Sequence, residues 1–254
     1  MTTPDISCIV PTFERADLVS SCLAGIAAQR EIDIDLIVTD DSASDSVREL
    51  VVGLGSTAPR LRYLEGARSG NPVDNWNAGL DAARAPWRVV VHQDERLIDP
   101  LYLRHAVDAL SRTPAVACRA GVRVTGVNRR SRFGLVSPLA SRLPWARQLL
   151  PLINWIGPTA AFVFGDGWRF DPAFVQLVDV DLYARVLATG PLATLPGIGV
   201  ASLGHHDDQI SARIDRTGLA LVELRRMALR EPPTVSPLAS GVFAAALKLK
   251  NALR

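Results

Sequence analysis

The chain has 254 residues, 48% hydrophobic and 21% charged, with a formal net charge of +2. This composition excludes a disordered chain and supplies apolar surface for one domain or one and a half. A balance this close to neutral, without a clustered basic face, argues against nucleic acid as a partner. Cys8, Cys22 and Cys118 are odd in number and lack metal-ligand spacing, so they read as reduced, buried thiols rather than a zinc site. The N-terminus shows no basic segment followed by a long apolar stretch, and no run reaches the roughly 20 apolar residues of a spanning helix. The expectation is a cytoplasmic protein, soluble or peripheral on the inner face of the membrane.

In chain order, Ile6 to Val10 predicts a buried strand that runs into Pro11-Thr12-Phe13-Glu14-Arg15. Asp17 to Gln29 predicts a helix, with Leu18, Cys22, Leu23, Ile26 and Ala27 on one face. Asp33 to Val38 is the second strand, ending in Thr39-Asp40-Asp41-Ser42, and Ser44 to Val52 a helix that Ser44 or Asp45 could cap. A short strand at Leu61 to Leu64 leads through a glycine-bearing loop, Gly66 to Pro72, into a helix at Asn75 to Arg84. The next strand ends at His92. A helix at Leu101 to Ser111 and a strand at Ala115 to Val124 give way to Asn128 to Asn154, rich in arginine and proline, which reads as a loop or lid. Strand-like Ala160 to Phe164, a helix at Asp179 to Ala188 and a short Pro-Gly passage reach Val200 to His206, a helix at Ser211 to Arg230 follows, and Glu231-Pro232-Pro233 marks a break before the tail. The alternation predicts an α/β protein.

Three of these strands end in polar groups, and the third is the most telling. Val89 to Val91 is a β-branched run that breaks off into His92-Gln93-Asp94-Glu95. In open α/β sheets ligands bind beyond the carboxyl ends of the strands, so acidic side chains there are placed for a ligand or a cation. Mg²⁺ and Mn²⁺ favour oxygen ligands and often take only one or two carboxylates beside substrate phosphates.

Ile9-Val10-Pro11-Thr12-Phe13-Glu14-Arg15, Asp40-Asp41 before a serine-rich turn, Asn75-Trp76-Asn77-Ala78-Gly79-Leu80, the strand into Asp94-Glu95, and Asp179-Val180-Asp181-Leu182 form an ordered set. In that order the chain, from about residue 5 to about residue 215, resembles a family 2 glycosyltransferase with the GT-A fold. The resemblance implies a Rossmann-like, mixed, mostly parallel sheet flanked by helices, with a helical C-terminal tail. It also implies a nucleotide-sugar donor, a divalent cation (Mg²⁺ or Mn²⁺), and inverting transfer of a sugar to an acceptor hydroxyl, as in cell-envelope glycan biosynthesis.

On this reading Pro11, Thr12, Phe13, Glu14, Asp41, Asn77 and Asp94 contact the donor, with Phe13 against the base and Asp41 accepting a hydrogen bond. Asp94, Glu95 and His206 hold the metal, and Asp179 is the general base. Asp181 competes for that role but more readily orients the helix, since residues two apart on a helix face differently. Asn75, Asn77 and Gly79 also suit a purely structural role at a helix start, and Arg68 suits solvent. The chain departs from the family pattern at Glu14, where asparagine is usual, at His92-Gln93, where an aspartate is expected, and at Val178, where an acid is expected.

The implied domains are 1–215, catalytic, divided into a donor half (1–97) and an acceptor half (98–215), followed by a helical extension (216–254). Gly157-Pro158-Thr159-Ala160 resembles the segment lining the acceptor side. Arg130, Arg132, Arg142 and Arg147 among Phe133, Trp145 and Trp155 suit an anionic or lipid-linked acceptor, or a lid. Val242, Phe243, Leu247 and Leu249 beside Lys248, Lys250 and Arg254 allow an amphipathic surface helix at a membrane, or core packing. Two alternatives stay open: a non-catalytic nucleotide-sugar-binding or scaffold protein with a degenerate metal site, and a sugar nucleotidyltransferase, which would normally need a glycine-rich phosphate loop near the N-terminus.

Overall fold

A computed structural model describes residues 3–54, 60–125, 146–151, 154–203 and 216–230, together with 241 and 245. The elements are β1 (Ile6–Thr12), α1 (Ala16–Ala27), β2 (Ile34–Asp40), α2 (Ser46–Leu54), β3 (Leu61–Glu65), α3 (Pro72–Ala82), β4 (Trp87–Val90), β5 (Glu95–Leu97), α4 (Tyr102–Arg112), β6 (Ala117–Thr125), β7 (Phe162–Gly165), α5 (Val178–Val186), β8 (Leu192–Leu203) and α6 (Arg216–Leu229), with 3₁₀ turns at Ala146–Leu149 and Thr159–Ala161. The strands form one sheet in the order β3-β2-β1-β4-β7-β6-β8-β5. The first four are mutually parallel. β7 joins antiparallel to β4 and to β6, β8 runs parallel to β6, and β5 closes the edge antiparallel to β8. The expected mixed, mostly parallel α/β sheet is present.

The central strand β1 is buried at all seven positions, as a parallel strand covered on both faces requires. Helix α1 turns Val19, Cys22, Leu23 and Ile26 onto one face of the sheet, where a core that includes Val10, Val89 and Val107 forms. The opposite core gathers Ile9, Val90, Phe162, Phe164, Leu182 and Tyr183, together with Leu224 and Met227 of α6. All three cysteines are free and buried. Helix α3 begins at Pro72, earlier than its apolar pattern announces, because the Asn71 side chain accepts the Val73 N–H and proline suits the first turn. Gly79 lets this helix approach the sheet: a Cβ there would stand 2.3 Å from Ile9 Cγ2.

Two other differences from the sequence reading have physical causes. The Pro-Gly passage lies inside β8 rather than before it. The register against β6 shifts around Gly121, where a Cβ would come within 2.2 Å of the Gly197 carbonyl oxygen, so Gly197 at φ +85° is absorbed as an irregularity within the pair. The strand ending in His92 is also followed at once by β5. Most of the arginine-rich Asn128 to Asn154 segment, the start of the helix expected from Ser211, His205, His206, and the tail residues Val242, Phe243, Leu247, Lys248, Leu249, Lys250 and Arg254 lie outside the described residues. Among the described residues no helix is long and apolar enough to cross a membrane.

β5 introduces a buried carboxylate. Glu95 is 5% exposed, and its Oε2 accepts the His92 N–H (2.9 Å), the Ala160 N–H (3.1 Å) and the Thr159 hydroxyl (3.2 Å). It therefore ties the end of β4 to the turn before β7. Burial, and next the nearby charge of Asp94, push its pKa up to about 8 from 4.5. Between those values the unfolded chain releases this proton while the folded chain retains it, so this group's contribution to stability falls as pH rises. Glu95→Gln cannot ionise. Its melting temperature relative to the parent should therefore climb from about pH 5 to about pH 8, and a pH-independent difference in thermal melts would contradict the assignment.

Candidate active site

The order β3-β2-β1-β4 reverses direction between β1 and β4, and the crevice beyond such a reversal is where open α/β sheets take ligands. A side-chain amide spans the two strand ends. The Phe13 N–H donates to Gln93 Oε1 (3.0 Å) and Gln93 Nε2 donates to the Phe13 carbonyl (3.2 Å), while the Phe13 ring is 62% exposed. Glu14 and Arg15 then adopt left-handed backbone, φ 52° and 50°, which costs about 1–2 kcal/mol for each non-glycine residue. The loop after β2 offsets that cost. The Glu14 N–H donates to Ser42 Oγ (2.6 Å), and the Glu14 carboxylate accepts the N–H groups of Ala43 and Ser44 and the Ser44 hydroxyl. The hydroxyl bond, then the Ala43 amide, hold this carboxyl below its ordinary pKa. The Glu14 side chain thus faces the β2 loop, not the crevice.

Pro11 and Thr12 are buried. The Thr12 hydroxyl reaches the Thr39 carbonyl and Asp40 Oδ1, both at 3.0 Å, so its contact with any donor is left to the backbone. Of the two aspartates after β2, Asp40 is buried and accepts the Ser42 N–H (3.0 Å) and the Ser42 and Tyr63 hydroxyls (2.5 and 2.8 Å) as well. Asp41 stands half-buried at the crevice, with Oδ1 accepting the Arg68 N–H (2.9 Å). Gly66 makes this possible, because a Cβ there would lie 2.1 Å from that oxygen. The Arg68 guanidinium turns away to Glu65, at 3.2 Å.

At the end of β4 the His92 ring meets Trp76 edge to face, centroids 4.6 Å apart, and Trp76 in turn meets Phe170 at 5.2 Å. Burial lowers the His92 pKa, which keeps the imidazole neutral near pH 7. Asp94 is half-buried beside Gln93, in the wall of a cavity of about 210 Å³. The expected pair of metal carboxylates is split: Oε2 of Glu95 is turned inward to three donors, leaving Asp94 as the carboxylate at this strand end. Among the described residues no group of three or more His, Cys, Asp or Glu gathers closely enough to hold a metal, and His206 lies outside them. A full protein cage is thus missing from the described residues. A cation taking Asp94 and completing its shell with phosphate oxygens and water fits this donor set.

Asn77 also departs from expectation. Its Nδ2 donates to the Phe170 carbonyl and its Oδ1 accepts the Phe170 N–H, both at 2.9 Å, so the side chain pins the loop after β7 onto α3 instead of facing a donor. Asn75 Nδ2 reaches the carbonyls of Thr12 (3.2 Å) and Thr39 (3.3 Å), joining the ends of β1 and β2.

Asp179 sits half-buried in the first turn of α5. Its Oδ2 accepts Asn154 Nδ2 (3.0 Å), its Oδ1 accepts the Val180 N–H (2.8 Å), and burial pushes its pKa up to about 6. Asn154 also exchanges two hydrogen bonds with Gly157, at φ +99°, whose carbonyl accepts the Tyr183 hydroxyl (3.2 Å). The segment from Asn154 to Ala160 therefore runs from Asp179 at one end to Glu95 at the other. Asp181 is 0% exposed and ion-paired to Arg185 (2.7 Å) and Arg230 (3.2 Å), which removes it from contention as a base.

Sequence reasoning missed three side chains that hold the backbone or the carboxylate around this site. Gln93 and Asn154 carry no local signature. Glu223 does: it shares the face of α6 that buries Ala220, Leu224 and Met227, and an acid on an apolar stripe needs a buried partner.

Residues 7–165 match the family described as glycosyl transferase family 2. The succinoglycan biosynthesis protein ExoO of Rhizobium meliloti (strain 1021) is 26% identical over 141 residues, 56% of this chain and 40% of that protein. The GalNAc(5)-diNAcBac-PP-undecaprenol beta-1,3-glucosyltransferase of Campylobacter jejuni is 33% identical over 96 residues, 37% of this chain and 31% of that protein. The matched regions span less than half the length of either relative. Among solved structures, S. aureus TarS 1-349 in complex with UDP-GlcNAc superposes with a TM-score of 0.70 at 13% identity, over 96% of this chain and 71% of that one. The mannosyltransferase PcManGT from Pyrobaculum calidifontis, in complex with GDP-Man and Mn²⁺, gives 0.71 at 17% identity, over 100% and 76%. Both likenesses establish the GT-A fold. With more than half of its length matched by the family, the chain belongs to glycosyl transferase family 2.

Proposed function

We propose that the chain transfers a sugar from a nucleoside-diphosphate sugar to an acceptor hydroxyl with inversion, Asp179 acting as general base. The observation that carries this reading is a half-buried carboxylate of raised pKa, fixed by Asn154 at the segment that also meets the β4–β5 strand end. The Phe13 ring covers the base, Asp41 accepts a base or ribose hydrogen bond, and Asp94 faces the diphosphate. A divalent cation, Mg²⁺ or Mn²⁺, would be held by Asp94 and the donor's phosphate oxygens, with His206 as a further ligand, and would neutralise charge on the departing diphosphate. Asp179 takes the acceptor O–H proton as the new oxygen–carbon bond forms, and the bond from the anomeric carbon to the diphosphate breaks with its electron pair leaving on the nucleotide.

The acceptor side is Gly157 to Ala160, and a glycan or lipid-linked acceptor is supported by the name of the Campylobacter relative, which acts on an undecaprenol-linked glycan. Peripheral membrane contact through the tail belongs to the same proposal. A second reading, a nucleotide-sugar-binding protein without turnover, is favoured by one observation: Glu95 Oε2 is engaged in the interior.

Asp179→Asn should lower turnover by about 10²-fold or more while leaving nucleotide affinity nearly unchanged. Because the base must be ionised, the parent's turnover should rise with pH through about 6 and level off above it, and an Asp179→Asn rate equal to the parent's would remove the assignment. In thermal melts with UDP, GDP and their sugars, one nucleotide class should stabilise the protein and Mn²⁺ should enlarge the shift. A shift indifferent to metal, with no nucleoside diphosphate released, would favour the binding protein. Liposomes with anionic lipid should float the full chain better than a chain ending at Pro233, and equal flotation would remove the tail from the proposal.

A further inference from the structure

Helix α5, which carries Asp179, has no side-chain cap of its own: its N-cap position is Leu177. The orphan N–H groups at a helix start need acceptors when water is excluded. The N-cap N–H and the two N–H groups before it, on the chain that leads into the helix, find theirs in a residue far along the chain. Glu223, 1% exposed on α6, accepts the N–H groups of Val175 (2.7 Å), Gln176 (3.1 Å) and Leu177 (2.7 Å) through its carboxylate. A negative charge at this end of the helix also meets the positive end of its dipole.

The same side of α6, and Arg230 just past its end, hold the approach to α5 at further points. Arg226 donates to the Ala173 carbonyl, and Arg230 pairs with Asp171 (2.6 Å) and with Asp181 of α5 (3.2 Å). Both guanidinium groups lie 5.7 Å from the Phe174 ring centroid. Glu223, Arg226 and Arg230 follow a three- and four-residue spacing, so one helix face grips the segment from Asp171 to Leu177. Two residues beyond that segment is Asp179.

We propose that Glu223 is a positioning residue for the transfer reaction: by holding from α6 the segment that leads into α5 it fixes Asp179 against Asn154, which makes α6 part of the catalytic unit. This rests on the reading of Asp179 as the base. A base displaced by about 1 Å loses much of its effect without any loss of donor contacts, so the signature is a split between kcat and KM.

The test compares the parent, Asp179→Asn, Glu223→Gln, Glu223→Asp and the double variant Glu223→Gln/Asp179→Asn, each assayed well below its melting temperature. The readout is nucleoside diphosphate released from UDP-N-acetylglucosamine, UDP-glucose and GDP-mannose, using the donors that the parent turns over. Glu223→Gln should lose about tenfold or more in kcat with donor KM within about twofold of the parent, and Glu223→Asp, which keeps the charge, should recover part of that loss. The double variant should be no slower than Asp179→Asn alone, because the two residues act as a unit. An unchanged kcat in Glu223→Gln, or a parallel loss of kcat and donor affinity, overturns the positioning role even if Asp179→Asn is inactive. If Glu223→Gln does not fold, Glu223→Asp is judged by the same split. Full activity in Asp179→Asn instead overturns the base assignment, and a parent that turns over none of the three donors overturns the transferase reading and this inference together.

Discussion

A strand buried along its whole length has no water to satisfy the polar groups at its carboxyl end, and β1 is such a strand. Its last carbonyl, that of Thr12, accepts from Asp41 and Asn75, its last hydroxyl reaches Thr39 and Asp40, and the next residue is bridged to β4 by the Gln93 amide. The left-handed backbone at Glu14 and Arg15 follows from turning the chain away from this packed end, and Ser42 and Ser44 hold it there. With Thr12, Asp40, Ser42 and Asn75 engaged in the interior, the Phe13 ring and the Asp41 carboxylate are the groups left facing the crevice. The proposed donor side is in this sense what remains after the central strand has been satisfied.

The other side of the site is built differently, from carboxylates set in the interior. Glu95 receives two backbone N–H groups and a hydroxyl, Glu223 three backbone N–H groups, and Asp181 two guanidinium groups. Each fixes one boundary of the proposed acceptor region: the strand end, the segment leading into α5, and the body of α5 against α6. Asp179 differs in being half-buried, with one side-chain amide and its neighbour's N–H as partners. Burial raises its pKa without hiding it, a condition suited to a group that must exchange a proton near neutral pH.

How much of this was legible follows from the range of the interactions. The β1 to β4 half, its strand ends and the three buried cysteines could be read because the apolar runs and the breaks after them are local. Asn77 could not, since its partner Phe170 lies far along the chain, and neither could Asn154 or Glu223. The pairing of Asp94 with Glu95 was open to a better reading. Asp94 lies in the turn that the Glu95 N–H closes onto the His92 carbonyl, whereas Glu95 is the first residue of β5 and its carboxylate turns inward. Residue type at a strand end identified the region, but orientation decided which of the two acids stayed there. The Pro-Gly passage misled for a related reason: both residues usually interrupt strands, and here an irregularity opposite Gly121 accommodates them.

The edge position of β5 bears on how the molecule is assembled. β1, β2 and β3 pair with one another and with β4, all within the first ninety residues, so the pairings among these four strands are available while the rest of the chain is still being made. The pairing of β5 is not. Glu95 pairs with Ser202 and Leu97 with Val200, about a hundred residues further on, so the strand next to Asp94 has no hydrogen-bonding partner until β8 has been synthesised. A nascent chain that has just completed residues 1–97 therefore holds an unpaired strand and an acid that is destined for the interior. The order of synthesis thus sets the earliest point at which this strand end can be completed.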